Sequence, residues 1–353
     1  MTTAACRPPN TVKKGDWLTD PSRLSHYAVC MTNFLQTAQH AARNGPFFIV
    51  FNAGAGHRDA ENERLAISQI LEEGGRAFEF LPCCQSEPMD ALARRAVDLA
   101  KARNGVVVAA GGDGTINAVA NAVLGSGCPF GVLPQGTFNY FGRDNAISQD
   151  TDKAARALLE GCISPVQAGK VNGRLFLVNA SVGLYPQILE DREVWKAQLG
   201  RSRVVAFLSG IATLLQSRHQ LRLTVESAGQ TASLRTPTLF VGNNRLQLVQ
   251  VGIDGEHADA LAQGQLAAIA VRPIGTLALM GLLVRGVLGR LGDADNIQSF
   301  SFRRLTVTPK GMRRIKVATD GEVAWMQTPL VFEVAAEPLL LLVPASAHLA
   351  EPG

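Results

Sequence analysis

The chain contains no CxxC pair: its six cysteines, Cys6, Cys30, Cys83, Cys84, Cys128 and Cys162, are scattered, and the one close pair is adjacent. That spacing excludes a zinc ribbon and argues against a disulfide framework, so the thiols are read as reduced in a cytoplasm. The six histidines form no HExxH pattern, which removes the common histidine-built metal centre. No apolar stretch reaches the roughly 20 residues a spanning helix needs. The most apolar, Ile274 to Val284, is broken by Gly275, Thr276 and Gly281 and ends at Arg285. No signal peptide is read at the start. The Walker A pattern GxxxxGK[ST] and the GxGxxG dinucleotide fingerprint are both missing. Charge is sparse at 18 % and nearly balanced, with a formal net of +4, compatible with anionic ligands but no signature of nucleic acid.

What remains is a folded chain of 353 residues with 46 % hydrophobic residues, long enough for two domains. Residues 1–45, with Pro8, Pro9, Lys13, Lys14 and Pro21, read as an N-terminal extension and a candidate for disorder. Order is expected from Phe47. The run Phe47 to Phe51 is a buried strand, a helix follows to Glu73, and Gly74-Gly75 stops it. Ala77 to Leu81 is a short strand. Ser86 and Pro88 open a helix that Asn104-Gly105 ends. Val106 to Ala110 is a third strand, a helix runs to about Leu124, and Phe130 to Leu133 is a fourth strand. Strand and helix alternate to about residue 163, which predicts a mostly parallel sheet with helices on both faces. Beyond 165 the pattern becomes strand-rich, at 174–181, 221–227, 236–242, 265–272, 298–308 and 313–318. That predicts a second, largely antiparallel β domain with one helical insertion, Thr276 to Arg290. The apolar run Leu330 to Val343 is expected to return to the first domain.

Three Gly-containing turns, at 52–56, 111–115 and 134–137, fall at carboxyl ends of the parallel strands, where such sheets bind ligands. Gly111-Gly112-Asp113-Gly114-Thr115 passes from strand to helix. Glycine lets backbone N–H groups approach phosphate oxygens, and the helix start favours an anion. Asp113 does not suit an anion site, since a carboxylate repels phosphate. It fits if it holds Mg²⁺, orients a water or accepts a hydroxyl proton. The second turn, Pro134-Gln135-Gly136-Thr137-Phe138-Asn139, offers one glycine, one hydroxyl and one amide. Asp320-Gly321, read alone, is a hairpin turn; a second Asp-Gly-Glu, Asp254 to Glu256, reads as a surface turn.

Taken together these motifs resemble the diacylglycerol kinase catalytic domain family, which groups bacterial lipid kinases, diacylglycerol kinases and sphingosine kinases. The likeness rests on Gly111–Thr115 with Asn117 and Asn121, on Leu133–Asn139, on Gly169–Phe176 and Asn179–Tyr185, and on Thr319-Asp320-Gly321-Glu322. It implies an α/β ATP-binding domain at 46–165, completed by a C-terminal strand at about 328–345, and a β-sandwich lipid-substrate domain at 166–327. It implies ATP and Mg²⁺, with Asn52, Gly112, Gly114, Thr115, Asn117, Gly136, Thr137 and Asn139 around the nucleotide. Asp113 would hold the metal, and Asp113, Asp320 and Glu322 would carry the chemistry, the general base being left open among them. The sequence departs from the family at the 52–56 turn, at Ala118, and at Tyr140 and Gln167, where relatives carry acids of an Asp–water–Mg²⁺ network.

A lipid substrate implies a peripheral, membrane-associated protein in the cytoplasm. Between Arg272 and Lys316 there are nine Lys or Arg against Asp293 and Asp295, overlapping the helical insertion. That composition suits a basic, apolar helix on an anionic surface as well as a core helix beside a solvated face. NAD kinases share GGDGT, so an NAD kinase and a non-catalytic nucleotide- or lipid-binding protein remain the alternatives. A homodimer is open, and no nucleic-acid partner is expected.

Overall fold

The computed structural model describes residues 32, 35–52, 57–84, 87–136, 138–183, 186, 220–250, 253, 255–273 and 296–345. The helical insertion at 276–290, the residues Leu184 and Tyr185, and most of the 52–56 turn lie outside them. Residues 35–44, within the stretch read as an extension, form helix α1. Small buried residues explain it: Ala38, Ala41 and Ala42 let the helix sit against the core. Arg76 donates to the carbonyls of Ala42 and Gly45, and Gln39 accepts from the Ile163 amide. The extension therefore ends at least ten residues earlier than the proline-rich start suggests.

The first sheet holds β1 (Phe47–Phe51), β2 (Phe78–Pro82), β3 (Val106–Gly111), β4 (Pro129–Pro134), β5 (Cys162–Val166) and β18 (Leu339–Val343), in the order β2-β1-β3-β4-β18-β5. All neighbours are parallel except β5, which pairs antiparallel with β18. Strands β1, β3, β4 and β18 are buried throughout, as continuous apolar runs covered on both faces must be. Helices α2 (His57–Glu73) and α6 (Thr151–Glu160) pack together, as do α3 (Met89–Arg103) and α4 (Asp113–Val123). A short helix α5 (Tyr140–Asp144) follows the second Gly turn.

The remaining strands form two antiparallel sheets. One has the order β10-β9-β14-β17-β6-β7 and the other β13-β12-β11-β8-β15-β16. Their members are β6 (Gly169–Val171), β7 (Arg174–Phe176), β8 (Asn179–Gly183), β9 (Leu221–Ser227), β10 (Gln230–Thr236), β11 (Thr238–Gly242), β12 (Leu266–Val271), β13 (Ile297–Phe302), β14 (Arg304–Pro309), β15 (Arg314–Thr319), β16 (Glu322–Gln327) and β17 (Leu330–Val334). Alternate residues, such as Ala180 and Val182 of β8 and Ile315 and Val317 of β15, fill one shared core. The outer face of the β8 sheet carries α7 (Arg245–Gln250) and α8 (Glu256–Ala262), with Leu248, Ile253, Leu261 and Ile269 between them.

Three expectations change in detail. The single strand expected at 298–308 is two: β13 pairs with β12, and β14 crosses to β9 and β17 in the other sheet. The run 174–181 likewise divides into β7 and β8. Leu330 to Val343 also divides, β17 joining the sandwich and β18 the parallel sheet. Gly255 lies in an exposed turn, at φ 68°, just before α8, as expected of the Asp-Gly-Glu at 254–256; Asp254 lies outside the described residues.

Candidate functional site

Strand β3 ends at Gly111 and α4 begins at Asp113, so the Gly-rich segment is a strand-to-helix turn. Gly112 is the N-cap with extended backbone, and no side chain caps the helix. Among the described residues no side-chain acceptor meets the first-turn N–H groups of this 11-residue helix, the arrangement that receives a phosphate. Two expected residues brace the turn from behind: Asn52 donates to Thr115 Oγ1 at 2.8 Å, and Thr115 is buried. A Cβ at Gly111 would lie 2.8 Å from that same hydroxyl.

The second Gly turn lies directly against the first. A Cβ at Gly136 would be 3.0 Å from the Gly112 Cα and 2.6 Å from Asn139 Oδ1, so only glycine fits. Asn139 ties its own turn: Oδ1 accepts from the Gly136 amide at 3.0 Å, and Nδ2 donates to the Gly136 carbonyl at 2.7 Å and to Gln149 at 2.6 Å. Its φ of 46° is a conformation asparagine tolerates better than most residues. Thr137 lies outside the described residues. Asn139 also donates its backbone N–H to Asp113 Oδ2 at 3.1 Å, which joins the two turns. Among the described residues Asp113 Oδ1 is buried without a hydrogen-bond partner. Burial pushes the Asp113 carboxyl above its ordinary range, opposed by the backbone donors of Asn139 and Tyr140.

From the sandwich, the β15–β16 hairpin reaches across to α4. Asp320-Gly321 is its two-residue turn, with φ of 48° and 91°, closed by the Thr319–Glu322 pair. Asp320 is nevertheless not a surface turn residue. Oδ1 accepts from the amides of Val178 and Asn179, both at 2.9 Å; Oδ2 accepts from the Leu177 amide at 2.7 Å and from Asn117 Nδ2 at 2.6 Å. Burial lifts its carboxyl above the ordinary range, against the pull of those donors. Four donors fill the acceptor positions of a carboxylate, which leaves this oxygen pair no site for a substrate proton. Glu322 is different. It is exposed, pairs with Arg174 at 2.7 Å, and places Oε1 3.4 Å from the Cβ position of Gly114.

The structure thus brings together Gly112, Asp113, Gly114, Asn117, Gly136, Asn139, Asp320 and Glu322 at one seam, with Asn52 and Thr115 behind it. It also places there residues that the sequence reading did not single out. Asp144 at the end of α5 accepts from the amides of Arg245 and Leu246, the first residues of α7, and burial raises its carboxyl. Asn244 donates to the Tyr140 carbonyl and caps α7 by accepting from the Gln247 amide. A polar pair, Asn243-Asn244, between an apolar strand and a helix was the available signal.

Tyr140 and Gln167 supply no acid. The Tyr140 ring stacks on Phe138 at 6.0 Å, and Gln167 donates to Asn243 Oδ1 and to the Gln265 carbonyl. An acid-built metal network at these two positions does not fit the residues present. Among the described residues no group of three metal-ligating side chains is found. The unpartnered Asp113 Oδ1 does fit one ligand atom of a nucleotide-borne Mg²⁺.

Comparison with known proteins agrees with the resemblance read from the motifs. Residues 46–171 match the family model of the diacylglycerol kinase catalytic domain. A protein named diacylglycerol kinase from Bacillus subtilis (strain 168) is 30 % identical over 206 residues, 57 % of this chain and 63 % of that protein. A YegS-like lipid kinase of Cronobacter sakazakii is 32 % identical over 166 residues, 45 % of this chain and 53 % of the relative. The chain thus matches little more than half the length of these relatives. A crystal structure of a diacylglycerol kinase from Bacillus anthracis str. Sterne aligns with a TM-score of 0.62 at 17 % identity, over 86 % of this chain and 98 % of that one. A second structure from that organism gives 0.66 at 20 %. At such identities the structural likeness shows the fold.

Proposed function

We propose that the chain is an ATP-dependent lipid kinase that phosphorylates a hydroxyl of a diacylglycerol-like lipid in the seam between the α4 start and the β15–β16 hairpin. The observation that carries this reading is the meeting of two motifs about 200 residues apart: Asn117 bonds Asp320 at 2.6 Å, and Glu322 stands over Gly114. In this reading residues 46–165 with β18 carry the nucleotide, and 166–327 the acceptor lipid. The chain works in the cytoplasm at a membrane surface; among the described residues no helix is long and apolar enough to cross a bilayer.

The roles follow from which atoms are open. Backbone N–H groups at Gly112 and Gly114 receive the phosphates of ATP, with Gly136 keeping the facing turn close enough to wall the site. Mg²⁺ bound with ATP would neutralise phosphate charge, and Asp113 Oδ1 is the atom that would hold it. The lipid hydroxyl oxygen attacks the γ-phosphorus, the bond to the β-phosphate oxygen breaks, ADP leaves and the hydroxyl proton passes to a carboxylate. We assign that proton to Glu322, whose Oε1 faces the α4 start. Asp320, saturated by its donors, is a positioning residue and not the base.

The test is transfer from labelled ATP by the purified chain with Mg²⁺ and diacylglycerol in neutral detergent micelles, with NAD as a parallel acceptor. Label in the organic-extractable product is expected, and Glu322→Gln should lower turnover by roughly 10²- to 10⁴-fold with ATP binding retained. Label in NADP would favour the NAD kinase reading. ATP binding without transfer to any acceptor would favour a non-catalytic protein, the reading that the neutral side chains at Tyr140 and Gln167 support.

A further inference from the structure

At the far end of β15 from the Asp320-Gly321 turn, the sandwich presents a basic tip with exposed apolar side chains. Between Ile297 and Thr319 the sequence has six basic residues, Arg303, Arg304, Lys310, Arg313, Arg314 and Lys316, and no acid. Arg304 is neutralised by Glu333 across the β14–β17 pair. Lys310, Arg313 and Arg314 are exposed around the β14–β15 turn. Met312, at the centre of that turn, is 45 % exposed, and Trp325 on the edge strand β16 is 58 % exposed. Arg314 and Lys316 lie over the Trp325 ring at 4.9 and 5.4 Å. Two open concavities flank Met312. One of about 250 Å³ is lined by Arg222 and Lys310, and one of about 430 Å³ by Arg313 and Arg314.

We propose that this tip docks the protein on the anionic headgroups of a lipid bilayer, Met312 and Trp325 entering the interface and the paired cations seating phosphates on either side. An exposed thioether and indole among cations suit a surface that is charged outside and apolar beneath. They add nothing to binding a nucleic-acid backbone. A second copy of the chain would set like charges against each other, which costs free energy. The strand β15 spans five residue steps from Arg314 to Thr319, roughly 17 Å, so the tip holds the seam close to the bilayer without occupying it. The inference rests on the lipid-kinase reading for its biological sense, but the binding it describes needs no catalysis.

The experiment is co-sedimentation of the full chain, without ATP, with vesicles of phosphatidylcholine alone or with about 30 mol % phosphatidylglycerol. Binding is expected on the anionic vesicles only. The triple variant Lys310→Gln, Arg313→Gln, Arg314→Gln should lose roughly 100-fold in affinity. Met312→Ser with Trp325→Ser should lose roughly tenfold at unchanged charge. All these side chains are exposed, so unchanged melting temperatures show the variants folded. Phosphoryl transfer to lipid in neutral micelles should be retained in every variant, which separates failure of docking from failure of the kinase reading. Anionic-vesicle binding that survives the triple variant, equal binding to phosphatidylcholine, or displacement by a DNA duplex at lower concentration than vesicles overturns the proposal. So does a dimer that the variants dissociate while vesicle binding persists.

Discussion

Replacing Asp320 tests whether the hairpin turn is held by its carboxylate. The side chain accepts from three backbone amides, Leu177, Val178 and Asn179, and from Asn117 Nδ2. In Asp320→Ala all four donors lose their acceptor in a buried place, at about 1 kcal/mol or more each. Alanine must also hold the left-handed conformation at φ 48°, which costs about 1 kcal/mol. The sum is roughly 5 kcal/mol, a large share of the about 5–15 kcal/mol that holds a domain together. Asp320→Asn keeps one acceptor oxygen and a residue suited to that backbone, but turns an NH₂ toward the donors of the other oxygen; roughly 2–3 kcal/mol is expected. Asp320→Gly removes the backbone strain alone and should be about 1 kcal/mol better than alanine. Urea unfolding followed by circular dichroism measures each difference. Asn117→Ala, measured alone and with Asp320→Asn, should be non-additive, since both sit on Oδ2. Asp320→Ala within about 1 kcal/mol of the parent, or milder than Asp320→Asn, would refute the assignment of Asp320 as the structural tie.

Two further outcomes follow from the turns. Burial raises the Asp113 carboxyl, so the folded state holds its proton to higher pH than the unfolded chain does; stability linked to this group is full below the ordinary Asp range and falls as pH rises through the folded value. The stability of the parent minus that of Asp113→Asn should therefore shrink with rising pH in thermal melts, while the variant loses phosphoryl transfer; a difference independent of pH would contradict the burial argument. Gly136→Ala puts a methyl 3.0 Å from the Gly112 Cα, a backbone atom that cannot swing away. It should cost about 1–3 kcal/mol and abolish ATP binding, and a variant that titrates ATP normally by calorimetry would show that the two turns do not jointly shape the site.

The parallel sheet was legible because its strands are continuous apolar runs punctuated by Gly turns, and both signals survive any tertiary context. The sandwich was legible as a class but not strand by strand. In 298–308 the inward positions change phase: Phe302 faces the core, and so do Leu305 and Val307. The step of three between Phe302 and Leu305 marks where the chain crosses from one sheet to the other, and alternation taken as unbroken hides it. Leu175 to Val178 is apolar at every position, so no phase could place its break. The role of Asp320 was hidden for another reason. Its donors lie at 177–179, some 140 residues away, and a turn residue that is also a buried acceptor looks in sequence like any Asp-Gly.

The hydrogen bonds around the seam form a nearly closed circuit, and their chemistry bears on how the site can open. Asp113 accepts from Asn139; the Tyr140 carbonyl accepts from Asn244, which caps Gln247; Gln247 accepts from Asn179, whose amide donates to Asp320; and Asp320 accepts from Asn117, back on the helix that Asp113 begins. Half of the links are between neutral amides, each worth a net 0.5–1.5 kcal/mol or so and little affected by salt. The stronger links end on carboxylates, where charge assists the bond. Asp320 ties the hairpin to residues 177–179 with three backbone donors and to α4 with one, Asn117, while on the other side Asp144 takes two amides of α7, and Asn244 and Gln247 hold by single amide bonds. A parting of the seam would therefore break the single Asn179–Gln247 bond more readily than the two-donor tie at Asp144 or the four-donor tie at Asp320.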